Sequence, residues 1–275
     1  MYLGHPQRIT RRLSRGGAGQ TAGGPGQTAG RGPEKHKIGF VGATPGAGAT
    51  TLALAAAEYL AAAKKARGLS PAFKKEAGRL IAYVEADAGG HAAYGCPYDK
   101  IGADRHFAGR AFLSFYRLAA AGKPVSGVFN ISGGINWALR VPGEQDIGLS
   151  AAGLIRLIDN ITGSPVLCDI TCPDKDILAD MNRIVCVVDP LPSRLLAGAK
   201  TIELVRAAEA GGVPVTWVLN KMNKGVNRRE VLRFLPVKTP VLLPAVPAES
   251  LYAAEFACRS LASDPDFQKS LSEIL

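Results

Sequence analysis

The sequence of 275 residues predicts an α/β fold, a doubly wound, mostly parallel sheet with helices on both faces. Three observations predict it. From Lys37 onward, apolar strand-like runs alternate with helix-like segments. Several runs, such as VPVTWVL at 213–219, are apolar almost throughout, as strands covered on both faces must be. Finally, Asp87, Asp169 and Asn220 each fall at or just past the end of such a run, where a doubly wound sheet gathers its ligand-binding groups.

The first strand is expected near 38–43, where Gly and Pro then break it, and the Ala/Leu run that follows predicts a helix over 50–67. A strand near 80–86 ends at Asp87 and Gly89-Gly90, a run fit for a switch. The i,i+4 pairs Phe112/Tyr116 and Ala111/Phe115 place a core-facing helix over 104–121. Strands follow near 125–130 and 135–141, although Gly133-Gly134 can instead fold 125–141 into a hairpin. Trp137 reads as core. Further strands are expected near 165–170, 183–188, 214–220 and 239–243, with helices near 148–161, 192–210, 227–234, 247–262 and 265–273.

Residues 1–36 stand apart from the 37–275 domain. They carry the near repeat GAGQTAG (17–23) and GPGQTAG (24–30), which cannot bury enough surface to offset backbone entropy, so disorder is expected. Residues 1–37 hold Arg8, Arg11, Arg12, Arg15, Arg31, Lys35 and Lys37 against Glu34, which concentrates +6 of the formal +10 charge there. Such an arm is either a passive linker or an electrostatic contact for nucleic acid or anionic lipid. No apolar stretch reaches the ~18–20 residues that cross a bilayer, and the basic start lacks the apolar core of a secretory signal. The cysteines, an odd five, are scattered, which suits free thiols in a reducing cytoplasm. His91 and His106 show no metal-ligand spacing.

The chemistry lies in GATPGAGATT, 42–51, between a strand and a helix. This resembles the phosphate-binding pattern G-x-x-x-x-G-K-[ST], in which turn and helix amides face an anion. Gly48 and Thr50 match, but Ala43 replaces the first Gly and Ala49 replaces the Lys. Gly46, Ala47, Gly48, Ala49, Thr50 and Thr51 are therefore the candidate phosphate-binding residues, with Thr50 a candidate magnesium ligand or a plain helix cap. Without the lysine, the charge on a transferring phosphoryl group lacks its usual partner. Arg194, after Pro190 and Pro192, is one replacement cation.

With four further segments in chain order, the sequence resembles the MinD/ParA branch of P-loop ATPases. LIAYVEAD (80–87) resembles the strand ending in D-x-D, PVLCD (165–169) the Walker B strand, RIVCVVD (183–189) the next strand, and VTWVLNK (215–221) the strand ending in Asn-Lys/Arg. The resemblance implies ATP or ADP with Mg²⁺ as cofactor, Asp169 as a second-shell magnesium group, Asp87 as the catalytic acid that polarises water if chemistry survives, and Asn220 at the adenine edge. Each also has a plain reading: a helix cap or turn acid for Asp169, a loop acid for Asp87, a turn residue for Asn220. Both family lysines are replaced, by Thr44 and Ala49, which leaves a homodimer open and makes the chain similar to TadZ/CpaE-type scaffolds. The expected function is a nucleotide-binding regulatory or localisation protein with weak or absent ATPase activity. The alternatives are an active ATPase with a cation from elsewhere and a nucleotide-free interaction scaffold with an unknown protein partner. Cys172, three residues after Asp169, matches the spacing of the nitrogenase iron protein, but Cys96 does not supply the second ligand in the right place, so no iron–sulfur cluster is expected. The C-terminus lacks the basic amphipathic tail that anchors MinD to membrane.

Overall fold

The computed structural model describes residues 35–66, 80–87, 112–127, 129–140, 147–235, 237–257 and 259–275. Its strands are β1 (Lys37–Gly42), β2 (Ile81–Glu85), β3 (Ile131–Ser132), β4 (Ile135–Ala138), β5 (Val166–Ile170), β6 (Arg183–Val188), β7 (Val215–Met222) and β8 (Val241–Pro244). They form one sheet in the order β3-β4-β2-β5-β1-β6-β7-β8. Every described pairing is parallel except that of β3 with β4. The chain reverses its direction of winding around β1, which lies between β5 and β6.

Alternation along the strands divides the core between two faces. Val41, Val84, Cys168, Ile184 and Leu219 face one side. There they meet α2 (Phe115–Ala120), α3 (Ala151–Asn160), α4 (Lys175–Ala179), α5 (Pro192–Ala197), α6 (Ala199–Ala210) and α7 (Arg228–Phe234) through residues such as Leu154, Ile177 and Val205. Phe40, Tyr83, Leu167, Val185 and Val218 face the other side, covered by α1 (Ala49–Ala66) and α9 (Pro265–Ile274). The small side chains of Ala53, Ala55, Ala56 and Ala57 are wholly buried, so α1 lies close on the sheet. The helix α8 (Ala248–Phe256) buries no residue fully.

Local chemistry sets the helix starts. Ser114, Ser150, Asp174, Asn227 and Asp264 each cap a following helix with a side-chain oxygen. Pro192 opens α5, where a missing N–H costs nothing. At the opposite end of the sheet from the loop, Lys37 Nζ joins the start of β1 to Asp159 (3.0 Å) and Asp180 (2.7 Å).

Several expectations are corrected. Residues 125–130 form no described strand; Gly133 and Gly134, with φ of 62° and 83°, instead turn β3 back on β4 as a short hairpin. The described helix within 104–121 begins at Phe115, where Ser114 caps it, and residues 104–111 lie outside the described residues. The helix expected over 192–210 is two helices meeting at Gly198. That expected over 247–262 stops at Phe256 and is followed by a single 3₁₀ turn, Leu261–Ser263. The short α4 had no counterpart among the expected elements. Trp137 is buried as expected, its indole N–H donating to Ser132 O at 3.1 Å. Residues 1–34 with their repeat, the 88–90 run, His91, Cys96 and His106 lie outside the described residues. Among the described residues, no helix is long and apolar enough to cross a membrane.

Gly198 joins this architecture to the loop after β1. A Cβ there would lie 3.0 Å from Ala43 O and 3.1 Å from Ala43 Cβ. Helix propensity alone would favour Gly198→Ala by about 1 kcal/mol. The contact with Ala43 reverses the sign, so Gly198→Ala is expected to lower stability by about 1 kcal/mol, read as a lower urea midpoint at unchanged m.

Candidate functional site

The loop that follows β1 is folded into a closed turn. Ala43 N donates to Val187 O at 2.9 Å, which carries the chain over β6, and Ala47 N donates to Thr44 O at 3.1 Å. Gly46 and Gly48 adopt φ of 77° and 100°, a region open to glycine and costly for other residues. Leu52 N donates to Gly48 O at 3.0 Å and starts the helical ladder of α1. The amides at the start of α1 precede that ladder and are left for an outside acceptor.

Side chains from the far end of β7 hold the loop open. Asn220 Nδ2 donates to Ala47 O at 2.8 Å, and Lys221 Nζ donates to Gly46 O at 2.7 Å. In a trans peptide, N–H and C=O point in opposite directions. Drawing the Ala47 carbonyl toward Asn220 therefore turns the Gly48 N–H away from it, into the loop. Lys221 Nζ also meets Asp189 Oδ2, at the end of β6, at 2.7 Å. Lys221 has a φ of 59°, beside a register irregularity between Leu219 and Met222. A non-glycine residue in that region stores strain of order 1–3 kcal/mol, a cost that marks functional sites.

The acidic side of the site is buried. Asp169, in β5, is 2% exposed and Asp87, just past β2, is 4% exposed. Asp169 Oδ2 accepts from the Tyr83 hydroxyl at 3.2 Å, and Ala86 N donates to Asp169 O at 2.8 Å. Burial raises the Asp169 carboxyl to about 6; the Thr50 and Tyr83 hydroxyls oppose the rise, and Asp87 adds to it. The Cys172 thiol is raised by burial and by the Asp87 charge, to which it donates a hydrogen bond. Two buried oxygens, Asp169 Oδ1 and Thr44 Oγ1, have no hydrogen-bond partner. Such groups are rare, and a water, an ion or a ligand can satisfy them.

These oxygens fit a magnesium–phosphate group. Magnesium takes few protein ligands and shares its shell with phosphate oxygens and water, and Thr50 and Asp169 are the residues that would hold it. Among the described residues, no group of three or more His, Cys, Asp or Glu could hold a metal without such help. The structure thus places Gly46 to Thr51, Asp169, Asp87 and Asn220 at one end of the sheet. Asn220 is spent in part on the loop, and its carbonyl accepts from Lys221 N at 2.8 Å. Arg194 is exposed on α5, and the cation that reaches the loop is Lys221. Tyr83, Asp189 and the buried Arg140 had drawn no attention in the sequence, because each sits in an apolar strand or at its end and their roles depend on which strands are neighbours.

Comparison with known proteins bears on the architecture. No protein-family model matches the chain, and no curated protein matches it in sequence. Solved structures do match. A ParA family ATPase from Chlorobium tepidum superposes with a TM-score of 0.61 at 13% identity, over 87% of this chain and 96% of its own. The septum site-determining protein MinD from Pyrococcus horikoshii, complexed with Mg-ADP, gives 0.58 at 12% identity over 87% and 93%. A plasmid partition protein from Borrelia burgdorferi bound to AMPPNP gives 0.58 at 12% identity over 88% and 98%. The fold is that of the MinD/ParA ATPases. Within the MinD/ParA fold, the loop after β1 and the ends of β2, β5 and β7 are the segments singled out above.

Two measurements test the geometry. A Cβ on Gly48 would lie 2.3 Å from Asn220 Nδ2. Gly48→Ala is therefore expected to cost about 1–3 kcal/mol in a denaturant titration, through its positive φ and the lost tie to Asn220. Burial holds the folded Asp169 carboxyl at about 6, above its ordinary 3.8. A raised carboxyl favours its protonated form in the folded state, so stability should fall as pH rises from about 4 to about 6 and level off above. Asp169→Asn should remove that fall, stabilising the ligand-free protein by on the order of 2–3 kcal/mol at pH 7.5 and not at all below pH 4.

Proposed function

We propose that the chain is a nucleotide-binding regulatory or localisation protein of the MinD/ParA type, which takes ATP or ADP with Mg²⁺ and turns it over weakly or not at all. The observation that carries this reading is the tie of Asn220 to Ala47 O, which turns the Gly48 N–H into the loop beside the first amides of α1, while Lys221 braces Gly46 O. The orphaned oxygens of Thr44 and Asp169 support it. So does the fold, whose relatives from Pyrococcus horikoshii and Borrelia burgdorferi hold Mg-ADP and AMPPNP.

Weak turnover follows from Ala49, a buried methyl group where the resembled pattern carries an ammonium. Amides bind a phosphate in its ground state, but the charge that spreads over the transferring group needs a cation to stabilise it. Bound magnesium supplies part of that charge neutralisation. Thr50 and Asp169 would hold the metal, and Asp87 would orient water. An active ATPase with a cation from elsewhere is the second reading, favoured by Lys221, whose ammonium already lies 2.7 Å from Gly46 O.

Isothermal titration with ATP and ADP, with and without Mg²⁺, tests the proposal. Magnesium-dependent binding without turnover is expected. Turnover abolished by Asp87→Ala and Lys221→Ala supports the second reading, and no binding overturns both. Ala49→Lys is expected to tighten ATP binding about tenfold, the value of one added charge contact near 1.4 kcal/mol; an unchanged affinity rejects the assignment of the loop.

A further inference from the structure

Arg140, at the end of β4, is 2% exposed and is the one buried cation among the described residues. Three buried carboxylates lie on or just past the neighbouring strands β2 and β5: Asp169 at 2%, Asp87 at 4% and Glu85 at 7%. Arg140 reaches the strand that carries two of them. Its guanidinium donates to Asp87 O through one terminal nitrogen and to Ile147 O through the other, the latter at 2.6 Å. Its backbone N–H donates to Glu85 Oε2 at 2.6 Å. The cation lies 4.2 Å from the centre of the Tyr116 ring, and the Tyr116 hydroxyl donates to Glu85 O. Arg140 thus holds Asp87 through its guanidinium and Glu85 through its backbone N–H.

Burying a guanidinium costs several kcal/mol before its contacts are counted, and an apolar side chain of similar volume is often as stable. Core packing alone therefore gives no reason for an arginine at this point in an apolar strand. Position does. The carbonyl of Asp87 is fixed by Arg140, and the preceding residue, Ala86, donates its N–H to Asp169 O at 2.8 Å, which brings Asp87 to the end of β5; there its charge raises both the Asp169 carboxyl and the Cys172 thiol. A planar guanidinium holds two carbonyls through two separate nitrogens in a fixed fork, whereas an ammonium offers its donors from a single rotating nitrogen.

We infer that Arg140 is a positioning residue: it sets the place of Asp87 beside Asp169, and through it the strength of the field that a divalent cation meets at the phosphate loop. The inference rests on the nucleotide reading. In that reading Asp169 and Thr50 hold the metal, and a second carboxylate fixed beside Asp169 raises the affinity for Mg²⁺ without touching the nucleotide's phosphates.

The test is isothermal titration of ADP, with and without Mg²⁺, on the wild-type protein, Arg140→Met, Asp87→Asn and the double variant. Arg140→Met is expected to leave Mg²⁺-free ADP affinity within about twofold and to cut the magnesium-dependent gain about tenfold. Asp87→Asn should cut that gain comparably, and the double variant no further, because both act through one carboxylate. An unchanged magnesium gain in Arg140→Met overturns the inference. So does an equal loss with and without the metal, which is what a merely structural role produces, and so does full additivity in the double variant. Should Arg140→Met fail to fold by circular dichroism, Arg140→Lys takes its place: it keeps the charge but not the rigid two-nitrogen fork, and should lose part of the gain. A wild-type protein that binds no ADP overturns the nucleotide reading along with this one, whereas binding that ignores Arg140 overturns this one alone.

Discussion

The candidate site depends on carbonyl oxygens being held away from it. A Gly-rich turn has no preference for pointing its amides inward; glycine removes the steric cost of doing so and nothing more. The direction comes from Asn220 and Lys221, which draw the Ala47 and Gly46 carbonyls toward β7. Two side chains, more than 170 positions away in the chain, thus prepare the loop before any ligand arrives. Preorganised dipoles of this kind need no reorganisation when the anion binds.

That arrangement explains how a loop can lose its lysine and keep its shape. Ala49 is packed near the start of α1, and the ammonium of Lys221 bridges Gly46 O and Asp189. A cation therefore braces the turn although none stands at position 49.

The acids at the ends of β2 and β5 show a second constraint. Asp169 is buried, lifted to about 6, and left with one oxygen unpartnered. A fold optimised for stability alone would place an amide or an apolar group there. Arg140 sharpens the point, since it is a buried charge whose bonds go to the backbone that carries Asp87. Stability is set aside at one end of the sheet, while the other end is fastened by ordinary ion pairs such as Lys37 with Asp180.

Much of the architecture was legible in the sequence. The central strands β1, β5, β6 and β7 are long apolar runs bounded by Gly, Pro or Asp, and periodicity alone marks them. The edge hairpin of β3 and β4 was legible only as an alternative, through Gly133-Gly134, because two residues of strand carry no periodic signal to choose it over two separate strands. The break at Gly198 was hidden for a related reason: helix propensity runs through it, and the contact with Ala43 that splits the helix is tertiary. At the site, residue types and spacing along one strand–loop–helix unit picked out Gly46 to Thr51, and strand ends picked out Asp87, Asp169 and Asn220. What the sequence determined by itself was therefore the order of elements, the missing ammonium at Ala49 and the acids at the strand ends, since each is a local property of consecutive residues. What the tertiary structure decided was who touches whom: Tyr83 on Asp169, Lys221 on Gly46 and Asp189, Arg140 on Asp87. Those contacts join elements adjacent or one strand apart in the sheet but distant in the chain, and strand order is set by the packing of both faces together, which no local pattern encodes.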